Sequence, residues 1–484
     1  MQIVFAASEA VPFAKSGGLA DVVGALPREI AKLGHEMTVY LPFYAAVRAH
    51  IGGEPTYLIR SVTIPFPHGN RFAGIVDGGV QDGVRFRFVD CPEFFDRQGL
   101  YGNNGDSYGD NAERFGLFCR AVLEASKTLG VPDIFHVHDW QAAMVPVFMR
   151  TVYSADPALK QCATVLTIHN AGYQGWFPPS TTDQLLLPWS LFTYDKLEHY
   201  DTFDFLKGGV VYSDAITTVS RKYAEEILGP EAGNGLEGTL RQRSTDLRGI
   251  LNGVDYTEWD PATDGNLAAH YTPQDVSGKR DCRKDLLHAF GLEVPEETPV
   301  IGICSRFASQ KGFDLLEQIA GRLAERDVAV VALGTGEPYY EKFFRDFAFA
   351  NAARFAVQIR YDDAMAHKIE AGADIFLMPS RFEPCGLNQI YSLKYGTVPV
   401  VRATGGLDDT VEEWNPATAE GTGFKFGSYE AQALLDAVDR ALTAFHDKDQ
   451  WSKLMQNGMA QDFSWGEPAR QYAELYAEVA RKRA

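Results

Sequence analysis

The chain has 484 residues, of which 45% are hydrophobic and 23% are charged, and its net charge is −19. This length predicts two domains, because a single core rarely covers so many residues. The acidic charge argues against binding to nucleic acid or to an anionic membrane, but it does not oppose a neutral polymer such as a glucan.

The six cysteines include no C-x-x-C pair, which argues against a zinc site or a redox dithiol and is typical of a reducing compartment. Met1 leads directly into the strand-like residues 3–7, without the pattern of a signal peptide. No apolar run reaches the length that spans a membrane. We therefore expect a cytoplasmic protein with no membrane partner.

The first half of the chain is predicted to alternate strands and helices. A first strand over 2–7 is followed by the turn Lys15-Ser-Gly-Gly-Leu and by a helix over 21–33. Further buried strands are predicted over 37–41, 134–137, 164–168 and 215–219. A turn over 250–253 closes this half.

The second half repeats the alternation of strands and helices after a polar connection and a helix from about residue 280. Strands are predicted over 300–304, 328–333, 357–360, 374–378 and 398–401, and helices over 312–326, 339–353 and 467–483. Alternating strands and helices predict an α/β protein with parallel, doubly wound sheets. We expect domains over 1–253 and 254–462, with a last segment over 463–484.

Lys15-Ser-Gly-Gly-Leu-Ala-Asp lies between a predicted strand and a predicted helix. Two glycines allow the backbone to approach a diphosphate, the helix start favours its charge, and Lys15 adds a cation. The alternative is a tight turn chosen only for its conformation. The presence of Lys15 and Asp21 favours a ligand loop that is neither a dinucleotide fingerprint nor a Walker loop.

The strand over 375–378 ends at Pro379, and a helical pattern begins near Gly386. Glu383 and Arg381 therefore lie at the carboxyl end of a strand, where open α/β sheets bind ligands. The backbone N–H groups of Gly386, Leu387 and Asn388 are predicted to attract an anion there.

Ser305-Arg-Phe-Ala-Ser-Gln-Lys-Gly follows the strand over 300–304. Arg306 and Lys311 can reach one anion from this loop and stabilise a leaving diphosphate. The alternative is a solvated pair of basic side chains.

His136-Val-His-Asp-Trp and Thr167-Ile-His-Asn both end predicted strands. We expect His136 and His138 to point to opposite faces of the strand, which makes them poor joint metal ligands. A sugar site with Asp139, Trp140 and His169 at its rim is favoured over a metal site. Asp447-Lys-Asp449 has a D-x-D spacing but follows a helix, so it is predicted to be a solvated turn.

Several aromatic residues lie in Pro- and Gly-containing contexts, and they are Tyr101, Trp176, Phe177 and Trp189. Most aromatic residues are expected to pack in the core, and stacking on sugars is the alternative for these four.

Taken together, the motifs closely resemble the family of bacterial glycogen synthases and plant starch synthases. The stretches that carry the likeness are Ser8-Glu-Ala-Val-Pro-Phe-Ala-Lys-Ser-Gly-Gly-Leu-Ala-Asp-Val, His138-Asp-Trp, Asn252-Gly-Val-Asp, Ser305-Arg to Lys311-Gly, and Ser380-Arg-Phe-Glu-Pro-Cys-Gly-Leu. The resemblance implies a GT-B fold, with two Rossmann-like domains facing across a cleft and a last helix returning to the first domain. It also implies transfer of glucose from ADP-glucose to the non-reducing end of an α-1,4-glucan, with retention and without a metal or pyridoxal phosphate.

The resemblance assigns catalytic roles to Glu383 beside the glucose, to Arg306 and Lys311 on the diphosphate, to His169 at the reacting face of the sugar, and to Asp139 on the acceptor side. It implies substrate binding by Lys15, Gly17, Gly18, Asp21, Tyr101, Asn252, Tyr361, Cys385, Gly386, Leu387, Asn388, Thr404, Gly405 and Gly406. Ser16 and Asn388 stand where the family commonly has Thr, and both keep a hydrogen-bonding side chain.

The sequence leaves several alternatives open. A phosphorylase-like enzyme with a lysine-bound pyridoxal phosphate and a non-catalytic glucan-binding protein are the competing functions. Retention through a covalent adduct on Glu383 competes with front-face departure of ADP, which we favour because no second carboxylate is identifiable. The choice of ADP over UDP rests on the resemblance alone, and a homo-oligomer is allowed but not specified.

Overall fold

The computed structural model describes residues 1–103 and 105–483. The chain divides into two compact units, one comprising Met1–Gly253 with the residues from Trp465 onward, and the other comprising Val254–Ser464. The domain boundaries predicted from the sequence lie after residues 253 and 462.

The first unit is built on a long sheet with the strand order β14-β13-β9-β8-β1-β2-β5-β4-β3. Its strands are β1 (Gln2–Ala6), β2 (Glu36–Pro42), β3 (Tyr57–Ile64), β4 (Arg71–Gln81), β5 (Val84–Asp90), β8 (Ile134–His138), β9 (Ala163–Ile168), β13 (Ala215–Thr218) and β14 (Leu247–Gly249). The smaller strands are β6 (Gly102–Asn103), β7 (Asp106–Ser107), β10 (Trp176–Phe177), β11 (Glu198–His199) and β12 (Thr202–Asp204).

Helices connect these strands. They are α1 (Gly18–Lys32), α2 (Ala45–Ile51), α3 (Pro92–Phe95), α4 (Asn111–Leu129), α5 (Asp139–Ala142), α6 (Met144–Arg150), α7 (Thr181–Gln184), α8 (Phe205–Tyr212), α9 (Arg221–Glu226), α10 (Pro230–Gly233) and α11 (Glu237–Gln242), with a 3-10 turn at Trp189–Leu191.

The pairs from β14 to β5 are parallel, which agrees with the predicted parallel sheet, but strands β5 and β14 themselves were not predicted. Strands β1, β8 and β9 are almost wholly buried, which suits central strands covered on both faces. The antiparallel extension through β4 and β3 was not predicted. Strand β3 alternates in exposure along part of its length, so it lacks the continuous apolar run that identified the other strands.

The second unit has one parallel sheet with the order β17-β16-β15-β18-β19-β20. Its strands are β15 (Val300–Cys304), β16 (Ala329–Gly334), β17 (Phe355–Ile359), β18 (Ile375–Met378), β19 (Val398–Arg402) and β20 (Phe424–Phe426). Its helices are α12 (Gly278–Phe290), α13 (Phe313–Ala324), α14 (Pro338–Ala350), α15 (Asp363–Gly372), α16 (Asn388–Lys394), α17 (Gly405–Thr410), α18 (Ala431–His446) and α19 (Lys448–Met459), with a 3-10 turn at Ser309–Lys311.

Alternate residues of this sheet enter two buried clusters, with Ile301 and Ile303 in one and Val300 in the other. Helices therefore cover both faces, and the sheet is doubly wound as predicted. In both units the strand order reverses beside the first strand, between β1 and β8 and between β15 and β18. Ligands bind α/β sheets at such reversal points, at the carboxyl ends of the strands.

The last helix, α20 (Gly466–Arg483), belongs to the first unit, where it packs against α1 and β9. The Tyr476 hydroxyl lies 2.7 Å from Nδ1 of His136, and Arg483 forms an ion pair with Asp214. Among the helices of residues 1–103 and 105–483, none combines the length and apolar content that a membrane span requires.

Candidate active site

The loops after β15 and β18 bring Lys311 and Glu383 together in the second unit. The Lys311 ammonium donates to the Glu383 carboxylate at 2.6 Å, and the Ser380 hydroxyl donates to the same oxygen at 3.1 Å. The two charged side chains are only 17% and 9% exposed. Lys311 and Glu383 belong to two separate sequence motifs. In the fold they form one buried ion pair at the point where the strand order reverses.

The glycine turn after β19 supports the backbone that carries Glu383. The Gly406 N–H donates to the Glu383 carbonyl oxygen at 3.1 Å. A Cβ on Gly405 would lie 1.9 Å from that oxygen, and the φ of Gly405 is +46°. A Cβ on Gly406 would lie 2.0 Å from the Cys385 carbonyl oxygen. Only glycine permits this approach, so the turn over 404–406 fixes the position of Glu383.

We expect Gly405→Ala to displace Glu383 and to lower both activity and stability. The new methyl group would overlap the Glu383 carbonyl in a left-handed backbone, at a cost of at least about 2 kcal/mol. Urea unfolding and kcat for glucosyl transfer would measure both effects.

Gly321→Ala is the matched control for this change. Gly321 lies inside α13 and its Cβ would meet nothing within 4 Å, so alanine should stabilise the protein by about 0.5–1 kcal/mol without changing activity. Similar effects of the two substitutions would contradict the proposed support of Glu383.

The other predicted residues of the second unit follow the carboxyl ends of several strands of the same sheet. Arg306 is exposed at the end of β15, and Cys385 is buried. The Asn388 side chain donates to the Cys304 carbonyl at 2.7 Å, which ties the start of α16 to β15. Tyr361 is 79% exposed after β17, which is separated from β18 by two strands.

Asp447 has a structural role. Its carboxylate caps α19 by accepting the Gln450 N–H at 3.2 Å. The D-x-D pattern at Asp447 and Asp449 is therefore a helix start rather than the solvated turn that was predicted.

Glu9 organises the glycine loop of the first unit and was missed by the sequence analysis. Its buried carboxylate accepts hydrogen bonds from the Ser16 N–H, from the Ser16 hydroxyl at 2.7 Å, from the Gly17 N–H at 3.2 Å and from the Tyr101 hydroxyl. The Ser16 and Gly17 amides of the loop, which was predicted to bind a diphosphate, therefore donate to an internal carboxylate. The available signal was the position of Glu9 shortly after β1 and seven residues before Ser16 of the loop.

Lys15 of the same loop forms an ion pair with Asp21, at 2.8 Å and with side-chain exposures of 47% and 31%. Both residues were predicted to bind the ligand, but their ion pair was not predicted. Asn252 is buried beyond β14, and its Oδ1 meets no hydrogen-bond donor among the described residues.

His138, Asp139 and His169 meet at the carboxyl ends of β8 and β9. Asp139 has a left-handed backbone with φ of 53°, and its carboxylate accepts the His169 N–H at 2.7 Å. Nδ1 of His138 lies 3.0 Å from Nε2 of His169. The predicted clustering of Asp139 and His169 is therefore observed.

The prediction that His136 and His138 point to opposite faces was wrong. Their ring centroids lie 4.3 Å apart, because side chains alternate along a strand and residues two apart share a face. The two nitrogens of His136 are engaged by Tyr476 and Thr167. In the residues that the structure describes, no three His, Cys, Asp or Glu side chains are grouped as a metal site requires.

Burial sets the protonation of this cluster. It raises the pKa of Asp139 to about 7, and it lowers the pKa of His169 to about 3. Burial also holds the pKa values of His136 and His138 well below 6.5. The folded protein therefore keeps all three imidazoles neutral near neutral pH.

His169→Gln is expected to reduce the acid sensitivity of folding. Below pH 6.5 the unfolded chain binds a proton at His169 that the folded chain excludes, so this group lowers stability as the pH falls from 6.5 towards 3. Between pH 3.8 and pH 7, Asp139 instead raises stability as the pH falls, because the folded carboxyl keeps a proton that the unfolded one has lost. Relative to the variant, the wild type should lose about 2 kcal/mol of unfolding free energy between pH 7 and pH 5.

Urea unfolding at the two pH values would measure this difference. His68→Gln provides the control, because it removes a histidine that is exposed on the surface. A parallel pH dependence for wild type and His169→Gln would contradict a neutral His169 ring in the folded protein.

The aromatic residues divide between core and surface. Trp140 is buried and packs against Phe177 at a centroid distance of 5.7 Å. Trp176 and Trp189 are 55% and 52% exposed, and both donate their ring N–H to nearby side chains. Tyr101 lies with Glu9 at the glycine loop.

Two family descriptions match the chain. The starch synthase catalytic domain matches residues 2–242, and the glycosyl transferases group 1 domain matches residues 287–457. The chain is 56% identical to a glycogen synthase of Koribacter versatilis over 100% of this chain and 99% of that protein. The chain belongs to the family of glycogen and starch synthases.

Further relatives of this family agree. A glycogen synthase of an Anaeromyxobacter species is 46% identical over 99% of this chain and all of that protein. The structure of the catalytic domain of starch synthase IV from Arabidopsis thaliana, bound to ADP and acarbose, is 33% identical, with a TM-score of 0.89 and 99% of each chain covered. The structure of a sucrose-phosphate synthase from Thermosynechococcus elongatus, at 16% identity and a TM-score of 0.59, shares the fold alone.

These matches confirm the predicted family, the GT-B fold and a glycosyltransferase activity of the glycogen synthase type. They favour a synthase over the phosphorylase-like and non-catalytic alternatives.

Proposed function

We propose that the protein transfers glucose from ADP-glucose to the non-reducing 4-hydroxyl of an α-1,4-glucan, with retention and without a metal ion or pyridoxal phosphate. The observation that carries the proposal is the buried Lys311–Glu383 pair at the strand-order reversal of the second unit. The similarity to a starch synthase structure bound to ADP and acarbose supports an adenine nucleotide as the leaving group. None of the six cysteines forms a disulfide among the described residues, which suits a reducing cytoplasm.

The basic side chains act on the leaving group. As the bond between glucose C1 and the diphosphate breaks, negative charge develops on the phosphate oxygens. Arg306 lies at the end of β15 and Lys311 follows it in the same loop, where both can stabilise that charge. The backbone N–H groups of Leu387 and Asn388 at the start of α16 add partial positive charge.

Glu383 acts on the sugar. Its carboxylate is held by Lys311 and Ser380, so its position is fixed before the substrate arrives. A fixed negative charge stabilises the positive charge that grows at C1, and it can also bind the glucose hydroxyls. Tyr361 is assigned to the adenine, and Cys385, Gly386 and the turn over 404–406 to the donor substrate.

In the first unit, His169, Asp139 and Asn252 are assigned to sugar hydroxyls. Lys15, Gly18, Asp21 and Tyr101 are assigned to the nucleotide sugar, and Gly17, whose N–H is held by Glu9, shapes the loop that carries Lys15 and Gly18. We favour front-face departure, in which the acceptor hydroxyl attacks C1 from the side that the diphosphate leaves. The C1–O bond to the acceptor forms, and the hydroxyl proton passes to a diphosphate oxygen. A glucosyl-Glu383 adduct detected by mass spectrometry would overturn this mechanism.

Release of ADP and UDP from the two nucleotide glucoses, with glycogen present, tests the function. We expect rapid ADP release that requires glycogen, and much slower UDP release. Turnover of UDP-glucose alone would overturn the donor assignment but leave the reaction in place. No turnover with either donor would contradict the synthase function.

A further inference from the structure

His138 is a fully buried imidazole that contacts neighbouring rings and not solvent. It is the last residue of β8 and is 0% exposed, between the rings of Phe5 at 4.9 Å and His136 at 4.3 Å. Its Nδ1 lies 3.0 Å from Nε2 of His169. Its other nitrogen, Nε2, meets no hydrogen-bond partner in residues 1–103 and 105–483.

A hydrogen bond between two neutral imidazoles contains one proton, so two arrangements are possible. In the first, His138 donates from Nδ1 and its Nε2 is an unprotonated nitrogen. In the second, His169 donates from Nε2, and His138 then carries a buried N–H that no described residue accepts. Unpaired buried N–H groups are rarer than unfilled acceptors, so the geometry favours the first arrangement.

The first arrangement determines what His169 offers to a ligand. Because its Nε2 accepts from His138, its proton must lie on Nδ1. That nitrogen makes no hydrogen bond to the described residues, and His169 is partly exposed at the end of β9. The Asp139 carboxylate accepts the His169 backbone N–H and so fixes the start of the loop. The low pKa of His169, caused by burial, is consistent with a neutral ring.

We propose that His138 is a positioning residue that sets the tautomer of His169, so that Nδ1–H of His169 donates a hydrogen bond to an oxygen of the sugar substrate. This inference rests on the proposed contact between His169 and the sugar. The tautomer itself is a property of the protein without substrate, so it can be tested separately from the function.

Nitrogen NMR of the full chain with ¹⁵N-labelled histidine rings tests the tautomer. The signals of His169 would be identified by their loss in His169→Gln. We expect a protonated Nδ1 and an unprotonated Nε2 on His169. The reverse protonation would overturn the proposal, whatever the enzymatic activity.

Two substitutions of His138 test its effect on the reaction. His138→Phe keeps a ring but removes the donor, whereas His138→Asn keeps an N–H close to the position of Nδ1. For His138→Phe we expect both tautomers of His169 in the spectrum and a loss in kcat of about 10- to 100-fold, the range for outer partners of metal-bound histidines. The KM for ADP-glucose should change less than kcat.

His138→Asn should recover the larger part of kcat and the Nδ1-protonated His169. Equal losses in the two variants, or an unchanged His169 spectrum in His138→Phe, would overturn the proposal.

Discussion

Glu383→Gln is expected to lower kcat for glucosyl transfer by about 10²- to 10³-fold, the effect of removing one electrostatic group from a transition state. The glutamine keeps the size of the side chain but removes its charge. Lys311 would then be 17% exposed without its counter-charge, and the sugar would lose the fixed negative charge beside C1. Because both partners are largely buried, the variant should also lose about 1–3 kcal/mol of stability.

Steady-state ADP release and urea unfolding would separate the two effects. Glu337→Gln is the matched control, since Glu337 is an exposed glutamate at the same end of the sheet that accepts the Ser309 N–H at 3.0 Å. The control should keep wild-type kcat.

A double variant, Lys311→Met with Glu383→Gln, would measure the coupling between the partners. Because the pair acts as one unit, its loss of kcat should be smaller than the product of the single losses. Wild-type kcat in Glu383→Gln would contradict the role assigned to the pair.

Glu9→Ala is expected to raise the KM for ADP-glucose and the Kd for ADP by at least about tenfold, which corresponds to about 1.4 kcal/mol. The substitution removes the acceptor of the Ser16 and Gly17 amides and of the Tyr101 hydroxyl in one step. The loop that carries Lys15 and Gly18 would then have to be ordered by the ligand itself, which weakens binding.

Calorimetric titration with ADP would measure this change. Glu9→Gln should have a smaller effect, because its amide retains one oxygen acceptor. Tyr101→Phe is the comparison variant, since it removes only the hydroxyl contacts to Glu9 and Ser8 and leaves the two loop amides bound. An ADP affinity in Glu9→Ala equal to that of the wild type would show that the loop does not depend on Glu9.

Local sequence patterns predicted the positions at which the site residues occur. Apolar runs bounded by turn residues marked β1, β8, β9, β15, β18 and β19, and the motifs that follow these strands were recognisable. These patterns are local, because burial on both faces of a parallel strand requires several consecutive apolar residues. The carboxyl ends of parallel strands then place Glu383, Lys311, His169 and Asp139 at the ligand-binding edges of their sheets.

Contacts between distant strand ends were not predictable from the sequence. Lys311 meets Glu383 across 72 residues, and Tyr101 meets Glu9 across 92 residues. Each pairing depends on strand order and on the path of a loop, neither of which leaves a periodic signal in the chain. The antiparallel β3–β4 extension was missed for a related reason, since partly exposed strands lack a continuous apolar run.

Local periodicity and residue identity were sufficient to predict the alternation of strands and helices, the family motifs and the chemical types of the site residues. Which groups act together became visible only in the folded chain: Glu9 with the glycine loop, the turn over 404–406 with Glu383, and His138 with His169. Hydrogen bonds and ion pairs depend on distances of a few ångström between atoms, and only the folded chain fixes those distances.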